Sequence, residues 1–118
     1  MKIICFDIDN VICKTVKSNY IKSKPIKKNI KFINSLYNKG HTIKIFTARY
    51  MGRTGDNATE AKKKAKKITL NQLKKWKVKF HKIYFGKPSS DFYIDDKNLN
   101  FKSNWIKYLK RLLNGKKN

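Results

Sequence analysis

The sequence predicts an α/β fold in which a parallel sheet is covered by helices on both faces. Two observations predict it. Short apolar runs alternate with amphipathic helical patterns along the chain, and Asp7, Thr47, Lys87 and Asp95 fall at or just beyond the ends of those runs, where parallel sheets bind ligands. A length of 118 residues suits one domain with one modest core, and the 40% hydrophobic and 13% aromatic content is enough to pack it.

Lys2–Ile8 is mostly apolar and ends in acid, the pattern of a buried parallel strand. Pro25 is expected to open a helix as its first residue, with Ile26, Ile30, Ile33 and Tyr37 at helical spacing and Gly40 as a left-handed C-terminal cap. Thr42–Thr47 reads as a second strand, and Tyr50–Asp56 as a loop. Asn57 with Glu60 resembles a capping box opening a helix to about Trp76, where Asp56 and Glu60 favour the helix start. Lys82–Phe85 and Asp91–Asp95 are two further strands. A last helix places Phe101, Trp105, Tyr108 and Leu112 on one face, and residues from about 115 to 118 form a frayed tail.

No apolar run approaches the roughly 20 residues that span a bilayer, and the N-terminus reaches charge too soon for a secretion signal. Cys5 and Cys13 make no disulfide framework, which places the chain in a reducing cytoplasm. Cys5 reads as a core residue and Cys13 as a loop or helix-start thiol; His41 and His81 read as turn histidines, and Trp76 and Trp105 as core. The net charge of +23 invites nucleic acid as a partner. Of the 30 basic residues, however, 27 are lysines spread over every segment, beside abundant Asn and Ile. That mixture reads as drift toward A- and T-rich codons, since selection for phosphate forks favours arginine.

The scarce acids are more telling. Of seven, four are Asp7, Asp9, Asp95 and Asp96 at two strand ends. Two carboxylates about 4 Å apart repel by about 1 kcal/mol in water and about 4 kcal/mol at an effective dielectric of 20. Such a gathering needs protons or a cation, and oxygen donors with room for water suit Mg²⁺. A carboxylate nucleophile, a second carboxylate two residues on, a hydroxyl, a lysine and a metal make a phosphoryl-transfer kit.

These residues resemble the motifs of the haloacid dehalogenase (HAD) superfamily of phosphatases, in order. They are Phe6-Asp7-Ile8-Asp9-Asn10-Val11, then Ile45-Phe46-Thr47, then Gly86-Lys87-Pro88, then Tyr93-Ile94-Asp95-Asp96. Thr47-Ala48-Arg49-Tyr50-Met51 and the run from Gly86 to Lys97 are similar, more closely, to the small phosphatases found with capsular-polysaccharide biosynthesis genes. The resemblance implies a three-layer, Rossmann-like HAD fold over residues 1–118 as one domain. It implies a Mg²⁺-dependent phosphomonoesterase acting on a sugar phosphate or polysaccharide precursor. Asp7 is then the nucleophile and Asp9 the general acid and base, with Thr47 and Lys87 holding the phosphoryl group. Asn10 and Arg49 would hold the rest of the substrate, and Asp7, Asp9, Asp95 and Asp96 the metal. Asp91 would orient Lys87. Neither gap between motifs has room for a cap domain, so the site should be open, rimmed by residues 13–24 and 50–56, and suited to a larger substrate or to closure by a second chain. Two other readings compete: a polynucleotide-end phosphatase or nucleic-acid-binding protein, and a receiver-type phospho-acceptor, whose acidic pair would come first rather than last.

Overall fold

The apolar run at the N-terminus forms the centre of the sheet. A computed structural model describes residues 1–17, 19–50, 58–85, 91–95 and 104–115. Within them the chain runs β1 (Ile3–Asp7), β2 (Cys13–Lys14), a 3-10 turn (Tyr20–Lys22), β3 (Lys24–Pro25), α1 (Lys27–Asn38), β4 (Thr42–Phe46), α2 (Ala58–Lys75), β5 (Lys82–Tyr84), β6 (Phe92–Ile94) and α3 (Trp105–Leu113). The main sheet has the order β5-β4-β1-β6, and β2 and β3 form a separate antiparallel ribbon. Every pair in the main sheet is parallel, with Ile3 opposite Thr42 and Asp7 opposite Phe46 on one side of β1, and Ile4 opposite Phe92 and Phe6 opposite Ile94 on the other.

Alternation along the strands sorts the side chains. Ile4, Phe6, Ile43 and Ile45 join a buried cluster with Ile30, Ile33 and Leu36 of α1, Leu73 of α2, and Trp105 and Leu109 of α3. Trp105 ties the helices to the sheet, its ring 5.8 Å from that of Phe6 and 6.0 Å from that of Phe32. On the opposite pleat, Cys5 is buried, Phe46 meets Tyr93 edge-on at 5.9 Å, and the Lys44 ammonium lies 5.7 Å from the centre of the Tyr84 ring.

The N-terminal end of the sheet is latched. The Asp91 carboxylate accepts the Ile3 N–H at 2.8 Å, and the Asp91 N–H donates to the Ile3 carbonyl at 2.9 Å. This carboxylate holds the start of β1 to the start of β6, and Lys87, which it was expected to orient, lies outside the described residues. Gly40 takes its expected left-handed conformation, φ +100°, and its N–H closes on the Tyr37 carbonyl at 3.1 Å.

Two other expectations are corrected. Pro25 does not open α1: it pairs with Cys13 in the β2–β3 ribbon, an edge where the missing N–H costs nothing, and the helix starts at Lys27. In α3 the buried stripe is Trp105 and Leu109, spaced by one turn, while Tyr108 and Leu112 are 62% and 47% exposed. Phe101, Asp56 and Asn57 lie outside the described residues. Among the described residues no helix is long and apolar enough to cross a membrane.

Ile33 is fully buried between α1 and the sheet, so Ile33→Ala is expected to lower stability by about 2–5 kcal/mol. Leu112→Ala should cost less than about 1 kcal/mol. Urea unfolding followed by circular dichroism, with unchanged slope, checks both values.

Candidate active site

The carboxyl edge of the sheet gathers the chemistry. Asp7 is the last residue of β1, half-buried, with its Oδ1 accepting the Ile8 N–H at 2.8 Å. Thr47 directly follows β4, one step past the Asp7–Phe46 pair, and is buried. Asp95 directly follows β6, one step past the Phe6–Ile94 pair, which continues the register to a level opposite Asp7. Neighbouring strands lie about 4.8 Å apart. Asp7 and Asp95 therefore stand level, with Thr47 one residue further along, at the ends of three adjacent strands. Lys87 and Asp96 lie outside the described residues.

Asp9 arrives by a different route from simple strand alternation, because β1 stops at Asp7. The Ile8 carbonyl accepts the N–H groups of Val11, Ile12 and Cys13 at 3.3, 2.9 and 3.2 Å, winding the chain into a tight turn. Asn10 sits in it at φ +67°, a conformation Asn tolerates better than most residues. Its N–H donates to the Cys13 carbonyl at 2.6 Å, and its Oδ1 accepts the Thr15 N–H at 3.3 Å. Asn10, a candidate to hold substrate, thus shapes the turn that presents Asp9. Cys13 is a buried strand residue and not the loop thiol expected.

The Asp9 carboxylate is held from several directions. Its Oδ1 accepts the Thr15 hydroxyl at 2.6 Å, Arg49 Nε at 3.1 Å and Arg49 Nη2 at 3.0 Å. Its Oδ2 accepts Arg49 Nε at 3.2 Å. Arg49, expected to grip substrate, is only 1% exposed. Its Nη1 donates to the Thr69 hydroxyl at 3.1 Å and to Gln72 Oε1 at 2.6 Å, both on α2, and Nη2 also reaches Cys13 Sγ at 3.6 Å. The Tyr20 ring covers the guanidinium at 5.0 Å. Thr15, Tyr20, Thr69 and Gln72 were not among the candidates from sequence. The only local signal was Thr69 and Gln72 three residues apart on one helical face.

Thr47 keeps a donor for a ligand: its Oγ1 accepts the Arg49 main-chain N–H at 3.0 Å, which leaves the hydroxyl proton to give. Among the described residues no group of three or more His, Cys, Asp or Glu side chains could hold a metal ion. A small hard cation does not require one. Asp7 and Asp95, level on adjacent strands, supply two carboxylates, and Mg²⁺ takes one or two with its remaining positions filled by water, carbonyl or phosphate oxygen. The donor set fits.

Burial pushes the Cys13 thiol above its ordinary pKa. The Thr15 hydrogen bond opposes that rise, Asp9 adds to it, and Arg49 and Ser23 oppose it. Cys5 is equally buried. Neither thiol is expected to react with Ellman's reagent in the folded protein at neutral pH, and two should titrate in denaturant; rapid labelling of the native protein would contradict this placement.

No protein-family model and no curated protein matches this chain. Solved structures do. An MCSG target protein from Vibrio cholerae is 25% identical over 96% of this chain and 99% of that one, with a TM-score of 0.70. The D,D-heptose 1,7-bisphosphate phosphatase of B. bronchiseptica, solved with magnesium and phosphate, has a TM-score of 0.51 at 13% identity, over 98% of this chain and 64% of that one. A chain of the Pnkp1/Rnl/Hen1 RNA repair complex has a TM-score of 0.51 at 14% identity, over 94% of this chain and 30% of that one. The parallel sheet with its flanking helices is thus an α/β fold that this chain shares with the heptose bisphosphate phosphatase.

Proposed function

We propose that this protein is a Mg²⁺-dependent phosphomonoesterase that works through a phosphoryl group carried on Asp7. The observation that carries the reading is the row of Asp7, Thr47 and Asp95 along the carboxyl edge of a phosphatase-like sheet. Asp7 attacks phosphorus as the bond to the leaving oxygen breaks, and Asp9 gives that oxygen a proton. Asp9 then takes a proton from the water that attacks the aspartyl phosphate, releasing inorganic phosphate and restoring Asp7. Thr47 donates its hydroxyl to a phosphoryl oxygen, and Lys87 adds a fixed positive charge. Asp7, Asp95, Asp96 and the Asp9 carbonyl would hold Mg²⁺, which when bound offsets the negative charge shared by nucleophile and phosphate.

The substrate class follows from resemblance. The runs Thr47–Met51 and Gly86–Lys97 favour a sugar phosphate or polysaccharide precursor in an open site. A phosphorylated polynucleotide end is the second reading, supported by the net charge of +23 and by the likeness to a chain of an RNA repair complex.

Release of phosphate from p-nitrophenyl phosphate is expected with Mg²⁺, lost on chelation and restored by adding the ion back. Asp7→Asn should reduce kcat by at least about 10³-fold. Full turnover in that variant would overturn the mechanism. A panel of sugar phosphates and a phosphorylated oligonucleotide then ranks the substrate classes by kcat/KM.

A further inference from the structure

We infer that Arg49 is a positioning residue that acts through Asp9 and Thr47 and makes no contact with substrate. The inference rests on the phosphatase reading above and deepens it. A buried arginine that serves a ligand must keep at least one N–H pointed into the site. Here each guanidinium nitrogen is engaged: Nε and Nη2 with Asp9, Nη2 also with Cys13, and Nη1 with Thr69 and Gln72. The Tyr20 ring lies against the group, and its side chain is closed to solvent.

The same residue meets both halves of the reaction. Its side chain sets the rotation of the Asp9 carboxylate. Oδ1 takes two of its nitrogens and the Thr15 hydroxyl, while Oδ2 has a single 3.2 Å contact among the described residues and is the oxygen presented to a leaving group. Its main-chain N–H, 3.0 Å from Thr47 Oγ1, turns that hydroxyl so that its proton faces away from Arg49. The anchor extends outward. Gln72 Nε2 donates to the Tyr20 carbonyl at 2.6 Å, so the segment over the site, helix α2 and Asp9 are joined through one guanidinium. Lysine could not reproduce this, since an ammonium is a point charge without the planar fork. The turn that aims Arg49 is itself strained, with Tyr50 at φ +64°.

The test compares wild type, Arg49→Lys, Arg49→Ala and Gln72→Leu on two substrates, p-nitrophenyl phosphate and glycerol phosphate. The nitrophenolate leaves with little help from a proton, whereas the alkoxide needs one. Misplacing Asp9 should therefore lower kcat for glycerol phosphate by about 10²-fold, for p-nitrophenyl phosphate by about tenfold or less, and leave KM within about threefold for both. Gln72→Leu should show the same leaving-group bias at smaller size. Guanidinium chloride far below denaturing concentration should restore part of the Arg49→Ala rate. Circular dichroism checks folding, and Arg49→Lys retains a cation if the alanine variant does not fold. A raised KM with kcat retained would make Arg49 a substrate clamp and overturn the inference. An equal fall on both substrates without guanidinium rescue would reduce it to a structural residue and overturn it as well. If wild type hydrolyses neither substrate, the phosphatase reading falls and this inference with it; if wild type and Asp7→Asn behave as expected, failure at Arg49 belongs to the inference alone.

Discussion

Strand β1 is paired on both edges and buried on both faces, and the geometry of the candidate site depends on that confinement. Ile4, Cys5 and Phe6 have no exposed surface, so this run has only one stable place, the middle of a sheet. An acid is tolerated only where the buried run stops, which is at Asp7. Parallel pairing does the rest: with β4 and β6 in register on either side, whatever follows each strand emerges at the same edge. The Asp91 latch at the other end helps keep that register, because a one-residue slip of β6 would separate the carboxylate from the Ile3 N–H and move Asp95 off the level of Asp7.

A second constraint is electrostatic. Burying a guanidinium costs several kcal/mol, and a buried pair recovers that only with good geometry and further hydrogen bonds. Arg49 has both, a forked contact to Asp9 and acceptors on α2 for its remaining nitrogen. Among the described residues no buried side-chain nitrogen or oxygen lacks a partner. The pair is better understood as specifying one orientation of Asp9 than as a source of net stability. Thr15, Ser23 and the Tyr20 carbonyl extend the network into the segment between β1 and α1, where polar contacts add to the core packing of Ile8, Val11, Ile12 and Cys13.

The strand ends bearing Asp7, Thr47 and Asp95, the helix capped by Gly40 and the core role of Trp105 were all legible in the chain, because each depends on residues within one or two turns of one another. Pro25 was less so. Its local preference for a helix start is real, but pairing with Cys13, twelve residues earlier, claimed it for a ribbon. The face of α3 was legible in period and not in phase: the helical repeat was correct, while packing against Phe6 and Phe32 selected Trp105 and Leu109 over Tyr108 and Leu112.

The roles of the polar residues divide along the same line. Residue type and spacing were sufficient to mark one edge of the sheet as the candidate site, since four of only seven acids fall in two short stretches at predicted strand ends. They could not say that Arg49 faces inward to Asp9, that Asn10 spends its side chain on a turn, or that Asp91 holds the far end of β1. Each of those outcomes turns on a partner up to 88 residues away and on which groups are left without water once the chain closes. Local patterns carry element type and chemical inventory. Long-range hydrogen bonding assigns the inventory, because a buried donor must find its acceptor wherever the fold has put one.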